Sequence, residues 1–235
     1  ILYNWHCFVL SIIFFLSLAY IYNSYSTPIY KVSARILVND EKKGGGLLGG
    51  NDLLGNLGGI LGAKSTVDNE AEILKTRNLM EHVVRDMQLN ITYFKEGRIK
   101  EVELYNSPFF VSPVKLVDTV KSTKVKVSLT KDNRLSIITD ELDTVLNYGK
   151  TFFLPKVGSI QIIKNINVPP LFNDYSFSIV STDSKVAQLM KNLDVSVGNK
   201  LVTIIDLTLS YPLPRKGEDI LNKLIQNYVQ ENLKD

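Results

Sequence analysis

An α+β body carried on one membrane-spanning helix is the fold class that the sequence predicts, and three observations predict it. Residues 1–30 contain no Lys, Arg, Asp or Glu, and the first charged side chain is Lys31. Beyond that point, stretches with period-two alternation read as strands, and stretches with apolar residues every three or four positions read as helices. The two kinds are mixed without a regular βαβ rhythm, so the class is α+β.

The membrane helix comes first. From Trp5 to Tyr22 the chain is apolar on every side, over about the 20 residues needed to cross a hydrocarbon layer of about 30 Å. Trp5 at one end and Tyr20, Tyr22 and Tyr25 at the other supply rings of the kind that settle at headgroup depth. Phe8, Phe14 and Phe15 fill the middle. A buried core helix would carry a polar stripe. A cleaved signal peptide would begin with basic residues, and none is present here. The anchor is therefore assigned to residues 1–26, with Trp5, Phe8, Phe14, Phe15, Tyr20 and Tyr22 as its contacts to lipid.

Composition limits what the remaining residues do. The formal charge is +3, too mild for the concentrated basic face that nucleic acid requires. Cys7, the single cysteine, lies within the span, which excludes a disulfide framework or a thiolate zinc site from the body. About 200 residues follow the helix, enough for a substantial core. Because the chain begins with Ile and ends in a helical pattern, it is expected to be a segment of a longer protein.

Thr27-Pro28 breaks the first helix, and Ile29 to Val38 alternates as a strand. Gly44 to Ala63 then holds nine of the 14 glycines. It reads either as a flexible glycine-rich loop or as a short helix capped by Asn51 or Asp52. In the helical reading Leu53, Leu54, Leu57, Ile60 and Leu61 share one face, available to the bilayer surface or to a neighbouring protomer. A helix follows from about Val67 to Gln88, opened by Ser65, Thr66 or Asp68, with Ile73, Leu74, Met80, Val83, Val84 and Met87 as its apolar stripe. Strands are predicted at Ile91–Phe94, Val114–Val117, Ser159–Ile163 and Tyr175–Ser181. A hairpin is predicted from Lys124–Leu129 and Leu135–Thr139, turning at Lys131-Asp132-Asn133. Ser181 or Thr182 caps a helix over Ser184–Leu193, and Val202–Leu209 is a strand. Tyr211-Pro212-Leu213-Pro214 closes the sheet and starts a last helix with Ile220, Leu221, Leu224, Ile225, Tyr228 and Val229 on its apolar face. Residues 27–211 are taken as the body, and 212–235 as the start of a long helix.

Several motifs tempt a chemical reading. Gly44 to Gly49 matches G-x-G-x-x-G, but a dinucleotide site needs a helix to begin at the glycines, and glycines continue to Gly62. Gly149-Lys150-Thr151 has the ending of a phosphate loop without its upstream glycine, so it reads as a turn between strands. His6 and His82 have no second histidine nearby to make a transition-metal site. Asp140-Glu141-Leu142-Asp143 lacks the glycine and spacing of a calcium loop and reads as a solvated turn. Lys124 and Lys126 offer basic surface to an acidic polymer or headgroups, but the usual explanation of such lysines is a wet sheet face. No paired acid or Ser-His-Asp arrangement is visible. No cofactor or metal is therefore expected in this segment.

The order of these parts resembles a known family. Pro28-Ile29-Tyr30 running on to Ile36-Leu37-Val38, then Asn69-Glu70-Ala71-Glu72-Ile73-Leu74-Lys75-Thr76-Arg77-Asn78-Leu79, is similar to the N-terminal region of bacterial chain-length determinants, the polysaccharide co-polymerases. Ile220 to Tyr228 looks like the start of that family's long extracytoplasmic helix. The glycine-leucine insert and Tyr93-Phe94-Lys95-Glu96-Gly97-Arg98 look most like the branch with a cytoplasmic tyrosine autokinase. The resemblance implies an inner-membrane protein whose body lies in the periplasm. It also implies a ring of identical subunits that helps set the length of a capsular, exo- or O-antigen polysaccharide. The implied partners are further copies, lipid, the polymerase or outer-membrane export machinery, and the growing polysaccharide. ATP and magnesium would be involved only through a kinase domain elsewhere in the parent protein, and no ATP-binding residue maps onto this chain. The competing reading is an extracytoplasmic ligand-sensing domain of a membrane receptor.

Overall fold

The computed structural model describes residues 5–38, 67–97, 100–117, 120, 122–130, 132, 134–199 and 204–233. Helix α1 spans Trp5–Tyr25, 21 residues, or about 31 Å at 1.5 Å per residue. All of it except Ser24 is exposed. Ser17, a polar interruption inside it, donates its hydroxyl to the Ile13 carbonyl at 2.8 Å, which satisfies it within the helix.

Strand β1 (Tyr30–Leu37) pairs antiparallel along its whole length with β12 (Ile204–Tyr211), and β12 pairs with β11 (Leu193–Asn199). On β12, Ile205, Leu207, Leu209 and Tyr211 point inward, while Asp206 and Thr208 meet Arg35 and Ser33 across the outer face. The inner face packs against helices α4 (Thr182–Asn192) and α5 (Pro214–Asn232), and α2 (residues 67–74) and α3 (Arg77–Asp86) complete the same apolar cluster. Gly217 lets α5 approach closely, because a Cβ there would lie 3.0 Å from Val32 Cγ2 and 3.4 Å from Tyr211 Cβ.

The helix predicted from Val67 to Gln88 is two helices. Lys75 N–H and Thr76 N–H bond to carbonyls three residues back, and Thr76 is extended at φ −69°, ψ 141°. The apolar phase explains the break. Val67, Ala71 and Leu74 are buried in α2 and Leu79, Met80, Val83 and Val84 in α3. The step from Leu74 to Leu79 is five residues, which a straight helix would carry off the buried face. Ile73, assigned to the stripe, is exposed, as is Val229 on α5. Ser181 is the cap of α4: its hydroxyl accepts from Ser184 N–H at 3.1 Å. Ser181→Ala is expected to cost about 1 kcal/mol, read as a lowered denaturation midpoint.

Between α3 and α4 the chain forms a second, all-β unit. Strands β2 (Ile91–Lys95), β3 (Val102–Leu104), β5 (Thr123–Leu129), β6 (Arg134–Ile138), β7 (Asp143–Asn147) and β10 (Asp174–Ile179) make an antiparallel sheet in the order β3-β2-β10-β5-β6-β7. Strands β4 (Phe109–Leu116), β8 (Thr151–Leu154) and β9 (Gly158–Lys164) make a second sheet in the order β4-β9-β8. The predicted hairpin is β5 and β6. Strand β4 begins five residues before the predicted start, and β3, β7, β8 and β11 were not anticipated. Each is short or follows directly on a helix or turn, so no long alternation marks it. Gly149, at φ 78°, turns the chain between β7 and β8.

Among the described residues, the buried ones fall into two clusters. One joins α2–α5 to the β1-β12-β11 sheet. The other lies between the two sheets of the β unit, around Phe109, Val125, Ile137, Ile160 and Phe177. Leu89 belongs to the first and Ile91 to the second; on the return, Ile179 belongs to the second and Val186 to the first. The β unit is thus entered and left at adjacent points, and Val180 N–H bonds to the Asn90 carbonyl at 3.0 Å.

Candidate functional site

The sequence-predicted anchor residues are all on α1 and all exposed: Trp5, Phe8, Phe14, Phe15, Tyr20 and Tyr22. Aromatic rings surround the helix instead of forming one stripe, as expected of a surface solvated by lipid on every side. Among the described residues it is the one helix long and apolar enough to cross a membrane. Cys7 is exposed on it. Leu53, Leu54, Leu57, Ile60 and Leu61 lie outside the described residues.

The body begins at Tyr30, shortly after the end of α1, and its base is built around a buried charge cluster that the sequence reading missed. Glu103, on the edge strand β3 of the β unit, accepts from Lys216 Nζ at 2.7 Å and from Tyr211 Oη at 2.9 Å. Lys216 lies in the first turn of α5, and Tyr211 is the residue of β12 paired with Tyr30. Lys185 of α4 is only 5% exposed, and its ammonium lies 5.8 Å from the centre of the Tyr211 ring. Burial, with repulsion from Lys216, lowers the Lys185 pKa to about 8, against the attraction of Glu103. Burial and the Glu103 carboxylate push the Tyr211 hydroxyl well above its ordinary value, so it remains a donor. The cluster therefore holds two ammonium groups and one carboxylate with little water, and it ties the β unit to the base of the first unit. A signal for it exists in the sequence. Lys185 stands four residues before Leu189, and Lys216 four before Ile220, so both lysines fall on apolar helix faces.

A second tie lies lower. Lys100 Nζ donates to the Ser26 carbonyl at 2.5 Å, one residue past the end of α1. Elsewhere α5 is held by polar contacts to the other helices: Lys223 and Asn227 meet Asp86 at 3.1 and 3.3 Å, and Tyr228 donates to Glu70 at 2.6 Å. The Lys223 hydrogen bond is the main reason that the Asp86 carboxyl is held below the ordinary range.

The candidate anion-binding lysines of β5 are on the exposed face, but each has an acidic partner. Lys124 pairs with Glu101, and Lys126 lies 3.6 Å from Glu96. Beside them is a broad cleft lined by Thr139, Asp140, Glu141 and Lys156 among others, a surface of mixed sign. Asp140–Leu142 forms a turn held by the Thr139 hydroxyl, and Lys156 pairs with Glu141 at 2.5 Å. His82 is exposed on α3. Among the described residues no three His, Cys, Asp or Glu side chains are gathered as metal ligands. What the arrangement offers is surface for lipid and protein, with its charges used internally.

Residues 1–87 match the family model of the chain length determinant protein, Wzz. Over 92% of its length the chain is 23% identical to the tyrosine-protein kinase wzc of Salmonella typhi. Over 98% it is 24% identical to the tyrosine-protein kinase ptk of Acinetobacter johnsonii. It spans 30% and 34% of those relatives, about a third of each. The chain is thus similar to the chain length determinant protein over residues 1–87, and to the Wzc and Ptk tyrosine kinases over nearly its whole length.

Proposed function

We propose that this chain is the periplasmic, non-catalytic part of a co-polymerase, anchored by α1 and assembled as a ring of identical subunits. In this role it regulates the length and export of a capsular, exo- or O-antigen polysaccharide. The observation that carries the reading is the extent of the match: the likeness to wzc and ptk takes in the membrane helix and both packed units together. Physical features support it. A helix at the membrane, a base clamped by buried charges and an amphipathic α5 make a rigid body suited to lateral assembly. Its partners are further copies, lipid, and the polymerase or outer-membrane export machinery. Kinase activity, with ATP and magnesium, belongs to the parent protein and not to these residues. Nothing in the structure or the comparisons favours the ligand-sensing alternative.

The detergent-purified protein is expected to be a large homo-oligomer by mass measurement across a range of concentrations. A monomer throughout would overturn the proposal. If the segment around Leu57 contributes to assembly or to membrane contact, Leu57→Asp will loosen one or the other. An unchanged oligomer and unchanged membrane association would remove it from both.

A further inference from the structure

Residues 165–173, Asn-Ile-Asn-Val-Pro-Pro-Leu-Phe-Asn, join β9 to β10 and contain no charge. Ile166 is 91% exposed and Leu171 79% exposed, and Phe172 is also exposed. Exposure of this kind usually accompanies a loop with little order, but here the backbone is held from inside. The buried Asn165 donates to the Ser107 carbonyl at 2.8 Å and accepts from Asn167 N–H at 3.1 Å. The hydroxyl of buried Tyr175 accepts from both Leu171 N–H and Phe172 N–H at 3.0 Å. Two prolines stiffen the interval between these clamps. The fold thus fixes apolar tips outward on a preformed loop.

Their position says what they meet. Phe172 lies beneath the Lys95 ammonium, 4.9 Å from its ring centre, and Glu96 N–H faces the Asp174 carbonyl. The loop therefore occupies the same end of the β unit as Lys95 and Glu96. That end is tied to Ser26 through Lys100 and, through Glu103, to the base residues Tyr211 and Lys216. The chain from Lys95 to Lys100 reaches at most about 17 Å. The tips consequently lie at the end of the β unit from which the chain runs to Lys100 and its contact just past α1.

We propose that residues 165–173 form a second membrane contact, with Ile166, Leu171 and Phe172 seated in the interfacial layer of the bilayer that α1 crosses. The contact would fix the β unit against the lipid surface and limit its rotation about α1. It rests on α1 being a span.

The test uses the full chain in vesicles of phosphatidylethanolamine and phosphatidylglycerol. An environment-sensitive fluorophore is placed at Ile166→Cys or Leu171→Cys in a Cys7→Ser background. Asp140→Cys, at the opposite end of the β unit, is the control, and wild-type Cys7 labelled in the same way reports on the span. The expected result is blue-shifted emission at 166 and 171, quenched by lipid spin-labelled high on the acyl chain, with water-like emission at 140. Water-like emission at 166 and 171 with Cys7 still quenched would overturn the loop contact alone. A blue shift indifferent to the lipid quencher would place the loop against protein and overturn the lipid assignment. An unquenched Cys7 would overturn the span as well.

Discussion

Glu103→Ala is expected to destabilise the protein by about 3–5 kcal/mol, the usual cost of removing one partner from a buried ion pair. It strands the Lys216 ammonium, 8% exposed, beside Lys185 and leaves the Tyr211 hydroxyl without its acceptor. Urea denaturation of the reconstituted protein would measure the loss. Glu103→Leu combined with Lys216→Met should recover part of it, because the stranded Lys216 charge and its repulsion of Lys185 are then gone, while Lys185 stays buried and the Tyr211 hydroxyl stays without its acceptor. A loss below about 1 kcal/mol would mean that water reaches the site and that the clamp contributes little.

The same cluster sets a pH dependence whose sign follows from linkage. The Lys185 pKa falls from 10.5 in the unfolded chain to about 8 in the fold. Below pH 8 the lysine is charged in both states, and the penalty of burying it is constant. Between about 8 and 10.5 the unfolded chain holds the proton that the folded chain has released, so stability rises with pH. The full difference corresponds to roughly 3 kcal/mol. Tyr211 acts in the opposite sense above pH 10, because its raised pKa lets the unfolded chain ionise first. Stability from this site should therefore climb from pH 8 and turn down above pH 10. Lys185→Met should raise stability at neutral pH by up to about 3 kcal/mol and abolish the climb.

Phe109→Ala is the second large effect. Phe109 is fully buried, and its ring meets Tyr93, Tyr175 and Phe177 edge-to-face at 5.7, 6.0 and 6.2 Å. Truncating such a side chain typically costs about 3–5 kcal/mol, from lost transfer energy plus the cavity left behind. Since this cluster is separate from the one beneath α3–α5, the loss should be local. Hydrogen exchange is expected to show faster exchange in β4, β5, β9 and β10, with β12 and α5 keeping their protection. Equal loss in both would mean that the two clusters unfold as one.

Long, regular signals were legible without coordinates. The uncharged run gave α1, alternation gave β5 and the first half of β1, the turn at Lys131-Asp132-Asn133 gave β6 as the returning strand, and Ser181 or Thr182 and Pro214 marked the starts of α4 and α5. Each depends on neighbours within a turn or two of chain, where periodicity and capping operate. Short strands such as β3 carry too few residues to display a period. The break at Thr76 is visible only as a five-residue step in the apolar pattern.

By itself, then, the sequence determined the membrane helix, the mixed class and the likeness to the chain length determinant protein, because these rest on local composition and on the order of segments. Tertiary structure alone decided that the body has two cores and that Glu103 meets Lys216, 113 positions away, with Lys185 close by. It also decided that the uncharged loop at residues 165–173 shares an end of the β unit with Lys95 and Glu96. Those facts depend on desolvation and on contacts between residues far apart in the chain, and no local pattern encodes which distant carboxylate a buried ammonium will find.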